Sequence, residues 1–472
     1  MDNYEVIIIG YNLAALATAA LLAKSNCRVL LLNDRAATEN EKFRRAELGF
    51  DVLFYSWDYA TGAMKFVLEK LEIGELGGAE GGGYIDTVIS PQGRLCRPLG
   101  WDAYRDTLVP AYPREKEKLH FFFAELKDLG DEWICFLRSG SLTDLAKLKK
   151  TIKYRNLTYS RFVESLFDEG EIRRILLADL PQAGVTLPVM AGYLVTQVFD
   201  YHYIPGGYGR VCQLLQHALE EVGGSISAVD EPLSVHPETN GGFIIETKGQ
   251  TFKGEKVVST LDPLQTILRY FPGSSPGQSW AALKGDRPPV LTALFLILTM
   301  DQDFDSENLF PGAVLHKVST ARTDEYLASV ERGQDFGQSF RVYKEQQRNR
   351  LILQADLPWK KRDHNEYIML SKELKAAFSG IFPYENWIKT EAIVTPDELE
   401  RMTGYTKGSF RSWAFRPGES ETNPFEQRLP TKGLFTTGQW GSAWFTAAVA
   451  AWRSVLKNNT TGVKKDDLRQ GN

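Results

Sequence analysis

The sequence predicts an α/β protein in which a discontinuous Rossmann-like, dinucleotide-binding domain carries an inserted helical plus mixed-sheet domain. Three separated blocks of the 472-residue chain point there: the first thirty-odd residues, a stretch over about 203 to 262, and the segment from Gly433 to Trp452.

The first block reads strand, turn, helix, strand. Val6 to Ile9 is a short β-branched run of the kind that makes a buried parallel strand. Gly10 supplies the turn, Leu13 to Ala23 is an Ala- and Leu-rich helix, and Arg28 to Leu32 is a second apolar strand. In a dinucleotide site the first glycine of such a unit makes the turn and the second lets backbone touch the pyrophosphate. The third lets helix pack on strand. Here Asn12 holds the second place and Ala15 the third, with Leu13 and Ala14 between them. The acidic residue expected at the end of the second strand is Asn33, with Asp34 beside it. Ala15 adds only a methyl. Asn12 is more consequential: asparagine tolerates φ > 0 better than most residues, yet its side chain fills space where a phosphate approaches while offering it a donor. Asn33 can bond a ribose hydroxyl as a neutral amide.

In the second block, Ile204-Pro205-Gly206-Gly207 enters a helix from Val211 to Val222. Strands follow around Ser225 to Leu233 and Phe243 to Glu246, and Val257 to Asp262 closes the unit. In the third, a strand from Leu434 to Thr437 meets Gly438, and an Ala-rich helix begins a few residues later. A helix N-terminus offers N–H groups and a positive dipole end to an anion.

Between the blocks, Tyr84 to Arg97 reads as a hairpin turning at Ser90-Pro91-Gln92-Gly93. Helix patterns cover Gly62 to Leu71, Pro113 to Leu129, Leu142 to Lys153 and 368–379, and strands are expected near 290–300, 340–343 and 350–355. The expected domains are 1–75, 203–285 and 425–460 for the nucleotide unit and 80–202 with 286–424 for the substrate unit. The polar stretch 461–472 is expected to be a disordered tail.

Apolar and charged fractions of 43% and 24% are ordinary for a globular protein. A net charge of −5 without a sustained basic stripe argues against a nucleic-acid partner. Cys27, Cys96, Cys135 and Cys212 form no CxxC pair, and the six histidines show no metal spacing. The chain runs straight into a strand, and its longest apolar run, Val290 to Met300, is too short to span a bilayer. That run reads as a buried strand. A cytoplasmic protein with at most peripheral membrane contact is the expectation.

Taken together, Gly10 to Ala15, Ile204 to Gly207 and Gly433 to Trp452 resemble the phytoene desaturase and retinol saturase family of FAD-dependent oxidoreductases, within the amine-oxidase-like superfamily. The resemblance runs over nearly the whole chain and implies an FAD/NAD(P)-binding Rossmann domain. It places FAD against Gly10, Asn12, Leu13, Ala14 and Ala15, with Asn33 and Asp34 at the ribose. Leu233, after Pro232, falls where a backbone pair holds the adenine, and Gly438 and Gln439 fall where relatives have a Gly-Asp or Gly-Glu pair. Phe445 and Thr446 belong to the following cofactor-facing segment, which is normally glycine-rich. Here only Gly441 remains, and Trp444 and Phe445 fill the space under the flavin ring. The family's Glu-to-Gly-Gly-Arg segment is missing: Asp34 to Glu47 is polar, with Arg44 and Arg45 as the only candidate phosphate partners there. FAD is therefore expected to bind weakly, or to have been lost.

The implied reaction is hydride transfer between flavin and an apolar, polyene- or isoprenoid-like substrate, as a desaturation, saturation or isomerisation. Because the cofactor carries such chemistry, no catalytic side chain and no metal are singled out. The alternative is a catalytically silent flavoprotein-like scaffold that binds a hydrophobic ligand or a partner protein. An amine-oxidase activity is disfavoured, since no aromatic pair or cation can be placed in the substrate unit. Trp440 and Trp444 either stack on a flavin or plug its cavity, and His202 is read as structural before it is read as a proton donor. His120-Phe121-Phe122-Phe123 is read as helix core. Ile175 to Val198 either lines a substrate tunnel or buries a helix pair. An apolar cavity is expected between the helical segment and the 286–420 sheet, near Gln439 to Phe445.

Overall fold

A computed structural model describes residues 3–34, 62–74, 76, 83–90, 93–139, 148–168, 170–178, 185–195, 207–229, 234–239, 241–261, 263–271, 292–305, 309–311, 314–318, 339–345, 349–358, 360–403, 431–438 and 444–457. Two seven-stranded sheets organise it. The first contains β1 (Asn3–Ile9), β2 (Val29–Asp34), β5 (Ser225–Val229), β6 (Ser234–Pro237), β7 (Phe243–Glu246), β8 (Thr251–Ser259) and β14 (Leu434–Thr436). The second contains β3 (Tyr84–Ser90), β4 (Gly93–Pro98), β9 (Thr292–Met300), β10 (Val314–Lys317), β11 (Phe340–Glu345), β12 (Arg350–Leu357) and β13 (Ile388–Val394).

In the first sheet the order is β5-β2-β1-β8-β7-β6, with β14 pairing β8 in parallel. Strands from all three sequence blocks therefore hydrogen-bond into one sheet, Val6 opposite Val29 and Val258 opposite Phe435. The runs of Val, Ile and Leu are continuous because both faces are covered. Val6, Ile8, Leu31, Val258 and Phe435 face the helix Leu13–Lys24. Their alternate neighbours Ile7, Ile9, Leu30, Leu32, Val257 and Leu434 meet Phe243, Ile245 and Tyr270. Leu13–Lys24 is buried from Leu13 to Ala23, as an all-round apolar helix requires. Helices Gly207–Glu221 and Trp444–Lys457 share its core, and Trp452 Nε1 donates to Ser25 Oγ at 3.0 Å.

The second sheet runs β13-β9-β12-β11-β10-β3-β4. The apolar run expected to be a buried strand is β9: Leu296, Leu298 and Met300 pack with Leu374 and Phe378 of the helix His364–Ser379. That helix begins with a capping box, Asp363 accepting from Glu366 N and Glu366 accepting from Asp363 N, both at 2.9 Å. The hairpin β3–β4 turns at Ser90 and Gly93 as expected.

A helical layer fills the insertion. Helix Lys116–Ser139 buries Leu119, Phe122, Phe123 and Leu126 against Tyr159, Phe162, Leu187 and Met190. Helix Leu187–Tyr193 crosses it closely: a Cβ on Gly192 would stand 2.6 Å from the Trp133 ring. The helix expected over Leu142 to Lys153 is present at Lys149–Tyr154, and 142–147 lie outside the described residues. One expectation needs correction. The aromatic run beginning at His120 is only partly core, because Phe122 and Phe123 fall on the buried face and Phe121 does not. The tail 461–472 lies outside the described residues. No helix among those described is long and apolar enough to cross a membrane.

Candidate functional site

The parallel strands β5, β2, β1, β8 and β14 end along one edge of the first sheet. The chain leaves β1 towards β2 on one side, while β8 lies on the other, and ligands of open α/β sheets bind at such a switch point. Gly10 sits there with φ +109°, its N–H donating to Leu32 O at 2.9 Å. A Cβ at this position would lie 1.9 Å from Thr260 Oγ1. Both its backbone conformation and its neighbour demand glycine.

Asn12 is the N-cap of helix Leu13–Lys24, with extended backbone (φ −152°) and not the left-handed conformation asparagine tolerates. Its Oδ1 accepts from Ala15 N at 2.9 Å. The cap uses the amide oxygen, so Nδ2 remains the donor considered from sequence. The cap takes the third amide of the turn; those of Leu13 and Ala14 have no acceptor within the helix. The side chains of Leu13, Ala14 and Ala15 are spent in the core, leaving only their backbone for a ligand.

Asn33 lies near the end of β2, and its Oδ1 is buried without a hydrogen-bond partner. Thr436 Oγ1, at the end of β14, is in the same condition. Leaving such a group unsatisfied costs about 1–3 kcal/mol, which a ligand hydroxyl or phosphate would relieve. Gly438 leaves β14 with φ +143°. Asp34 pairs through its backbone with Val229.

Phe445 is 2% exposed and packs in the core around helix Leu13–Lys24. Its ring packs with that core among the described residues. Leu233, Gln439, Trp440, Gly441, His202, Arg44 and Arg45 lie outside the described residues, as do the side chains of Asp34, Trp444 and Thr446. The cavity expected near Gln439 to Phe445 would involve these undescribed positions.

Sequence reasoning missed several anchors of this edge. Tyr11 OH donates to Gln216 Oε1 at 2.7 Å, tying the turn to helix Gly207–Glu221. Thr18 donates to Ala14 O at 2.6 Å and approaches Thr437 Oγ1 at 3.4 Å, while Thr437 N donates to Ser259 O. A lone threonine within an Ala/Leu helix was the available signal for Thr18.

A second polar cluster lies on the face of the second sheet opposite helix His364–Ser379. Arg97 binds Asp86 through both Nε and a terminal nitrogen, and His316 Nε2 lies 2.9 Å from Asp86 Oδ2. All three are buried. Burial pushes the Asp86 carboxyl up, but Arg97 and His316 outweigh it and hold it well below the usual carboxylate range. Arg341, opposite His316 in register, pairs with Asp356 at 3.0 Å. Burial opposes its charge, and Asp356 more than offsets that, raising its pKa. Among the described residues no group of three or more His, Cys, Asp or Glu is placed to hold a metal ion.

The parallel sheet, its glycine turn and the inserted second sheet define a Rossmann-like, two-sheet α/β protein. The same fold occurs in cyclohexylamine oxidase from Brevibacterium oxydans, at 16% identity and TM-score 0.56, covering 97% of this chain and 100% of that one. It also occurs in putrescine oxidase bound to putrescine, at 14% identity and TM-score 0.55, covering 97% and 99%. An oxidoreductase from Methanosarcina mazei matches at 13% identity and TM-score 0.54, covering 96% and 100%.

In sequence the chain is similar to retinol reductases. It is 24% identical over 296 residues to the inactive all-trans-retinol 13,14-reductase of Danio rerio, 57% of this chain and 49% of that protein. It is 24% identical over 229 residues to the human all-trans-retinol 13,14-reductase, 44% and 37% of the two chains. The chain thus spans half or less of the curated relatives it matches. No family model matches it.

Proposed function

We propose that the protein is an FAD-dependent oxidoreductase acting on an apolar, polyene- or isoprenoid-like substrate. The observation that carries this reading is the pair of buried, unpartnered oxygens, Asn33 Oδ1 on β2, next to β1, and Thr436 Oγ1 on β14, which lies beyond β8 in the same sheet. A vacant acceptor on β2 suits a ribose hydroxyl, and a vacant hydroxyl on β14 suits a polar cofactor oxygen. Gly10 lets a diphosphate approach, the amides of Leu13 and Ala14 face it, and Gly438 lets the chain pass beside the cofactor. Leu233, Gln439 and Thr446 complete the set by resemblance. The retinol reductases matched in sequence support the apolar substrate class.

Hydride exchange with a substrate carbon is the chemistry that FAD supplies when bound. This chain's part is to bind, orient and keep water out. The helical layer, with Phe122, Phe162, Leu187 and Met190 at its core, provides apolar bulk on the substrate side. The free cysteines Cys27, Cys96, Cys135 and Cys212 suit a reducing compartment, and a cytoplasmic location belongs to this reading.

A silent scaffold is the second reading, and one observation favours it. Asn12 already satisfies the Ala15 amide without any ligand, and one relative carries the name of an inactive reductase. The test is direct titration of the purified protein with FAD, followed by flavin fluorescence quenching. Saturable quenching supports the oxidoreductase; no quenching at any FAD concentration supports the scaffold.

A further inference from the structure

The second sheet carries a polar ladder set into an apolar face. Val342, Leu351, Leu353, Leu296 and Leu298 point at helix His364–Ser379, so their alternate neighbours share the other face. There Phe295, Ile297 and Ile352 are buried across β9 and β12. Beside them Tyr343 OH donates to Gln354 Oε1 at 2.9 Å, and Gln354 Nε2 donates to Asp356 Oδ1 at 2.7 Å. Arg341 Nη1 donates to Asp356 Oδ2 at 3.0 Å. Gln354 stands opposite Arg341 on one side and Phe295 on the other, so polar and apolar halves meet there. Unlike the fully buried Asp86–Arg97 pair, Arg341 and Asp356 keep 12% and 18% of their side-chain surface open. Arg341 spends one N–H group on Asp356 and makes no other hydrogen bond among the described residues, although a guanidinium has five. Tyr193, the last residue of helix Leu187–Tyr193, is close enough to act on the Arg341 charge, so the helical layer ends over this patch.

We infer that Arg341, held in place by Asp356, receives the terminal oxygen of an otherwise apolar substrate. The ladder fixes the guanidinium before a ligand arrives, and the apolar surroundings strengthen any hydrogen bond its remaining N–H groups make. Asp356 already offsets the Arg341 charge, which favours a neutral hydroxyl or carbonyl over a carboxylate that would enter uncompensated. Repulsion between like charges disfavours an alkylammonium end. The inference rests on the apolar-substrate part of the proposed function and gives Arg341 a part in specificity, with no step of the chemistry assigned to it.

The test is equilibrium dialysis of the full chain against farnesene, farnesol, farnesal, farnesoic acid and farnesylamine, which share one isoprenoid chain and differ at its end. Farnesol or farnesal should bind on the order of tenfold tighter than farnesene, with the amine no tighter than the hydrocarbon and the acid weaker than the alcohol. Arg341→Gln/Asp356→Asn removes both charges together and should abolish the preference while leaving farnesene binding unchanged. A purely structural ion pair would shift every ligand alike. Arg341→Lys keeps the ion pair but gives up the planar fork, and it carries the test if the double variant fails to fold. Absent binding, equal binding of all the ligands, or a preference that survives the substitutions would overturn the inference. A parallel FAD titration separates the two claims. Oxygen preference without FAD binding strikes the oxidoreductase reading alone, and FAD binding without oxygen preference strikes this inference alone.

Discussion

Replacing Asn12 by glycine separates the cap from the cofactor site. The Asn12 side chain now spends its Oδ1 on Ala15 N at 2.9 Å, so a phosphate arriving at this turn finds one amide already engaged. Asn12→Gly frees that amide and removes the side chain, at a cost of only a few tenths of a kcal/mol of helix capping. A hydrogen bond to a charged phosphate contributes roughly 1.5–3 kcal/mol, against about 0.5–1.5 for the neutral bond it replaces. The net gain of about 1–2 kcal/mol corresponds to FAD binding on the order of tenfold tighter. Adding Asn33→Glu restores a charged acceptor for the ribose and should contribute a similar factor. Isothermal titration with FAD measures both, and Asn12→Ser, which keeps a capping oxygen, is the control expected to show no comparable gain. If Asn12→Gly binds FAD no more tightly than the parent, or Asn12→Ser gains as much, the cap is not what limits the site.

Three further outcomes are expected. Asp86→Asn leaves the buried Arg97 guanidinium without its carboxylate and should destabilise the fold by about 3–5 kcal/mol in urea unfolding. Because the folded carboxyl titrates below its ordinary value near ~3.9, the stability it contributes is complete above that pH and is lost as pH falls below it. The variant should lack that part of the acid dependence. Gly10→Ala forces a Cβ to within 1.9 Å of Thr260 Oγ1 at φ +109°, and should cost about 2 kcal/mol or more in thermal unfolding. An unchanged melting temperature would contradict the turn geometry. Burial, with Glu5 adding, pushes the Cys27 thiol up to about 11, so alkylation followed by mass spectrometry should find it unmodified at neutral pH until the protein unfolds.

The centre of the first sheet was legible because Val6 to Ile9 of β1 and Val29 to Leu32 of β2 are unbroken Val, Ile and Leu runs, as strands covered on both faces require. The hairpin turn was equally legible, and its register already implied the Asp86–Arg97 pair, since counting outward from Ser90 and Gly93 brings those two residues together. His316 was not, because it reaches Asp86 from a strand more than two hundred residues away in the chain. Asn12 was read as a substituted glycine although its place before an apolar helix also marks an N-cap, and the capping reading describes the geometry. For Phe445 the resemblance implies a cofactor-facing segment, and helical phase places it with Ala448, Val449 and Val455 on the stripe that packs against Leu13–Lys24. Tertiary partners, and the phase of a helix relative to a ligand, are what local sequence left unstated.

The edge around Gly10, Asn33 and Thr436 is the proposed flavin site. Incubating the purified protein with excess FAD, removing free cofactor and recording the visible spectrum tests it most directly. Flavin absorbance that stays with the protein, and falls when Gly10→Ala blocks the turn in protein that remains folded, is the predicted result. Colourless protein after the same treatment, with FAD wholly recovered in the flow-through, would contradict it.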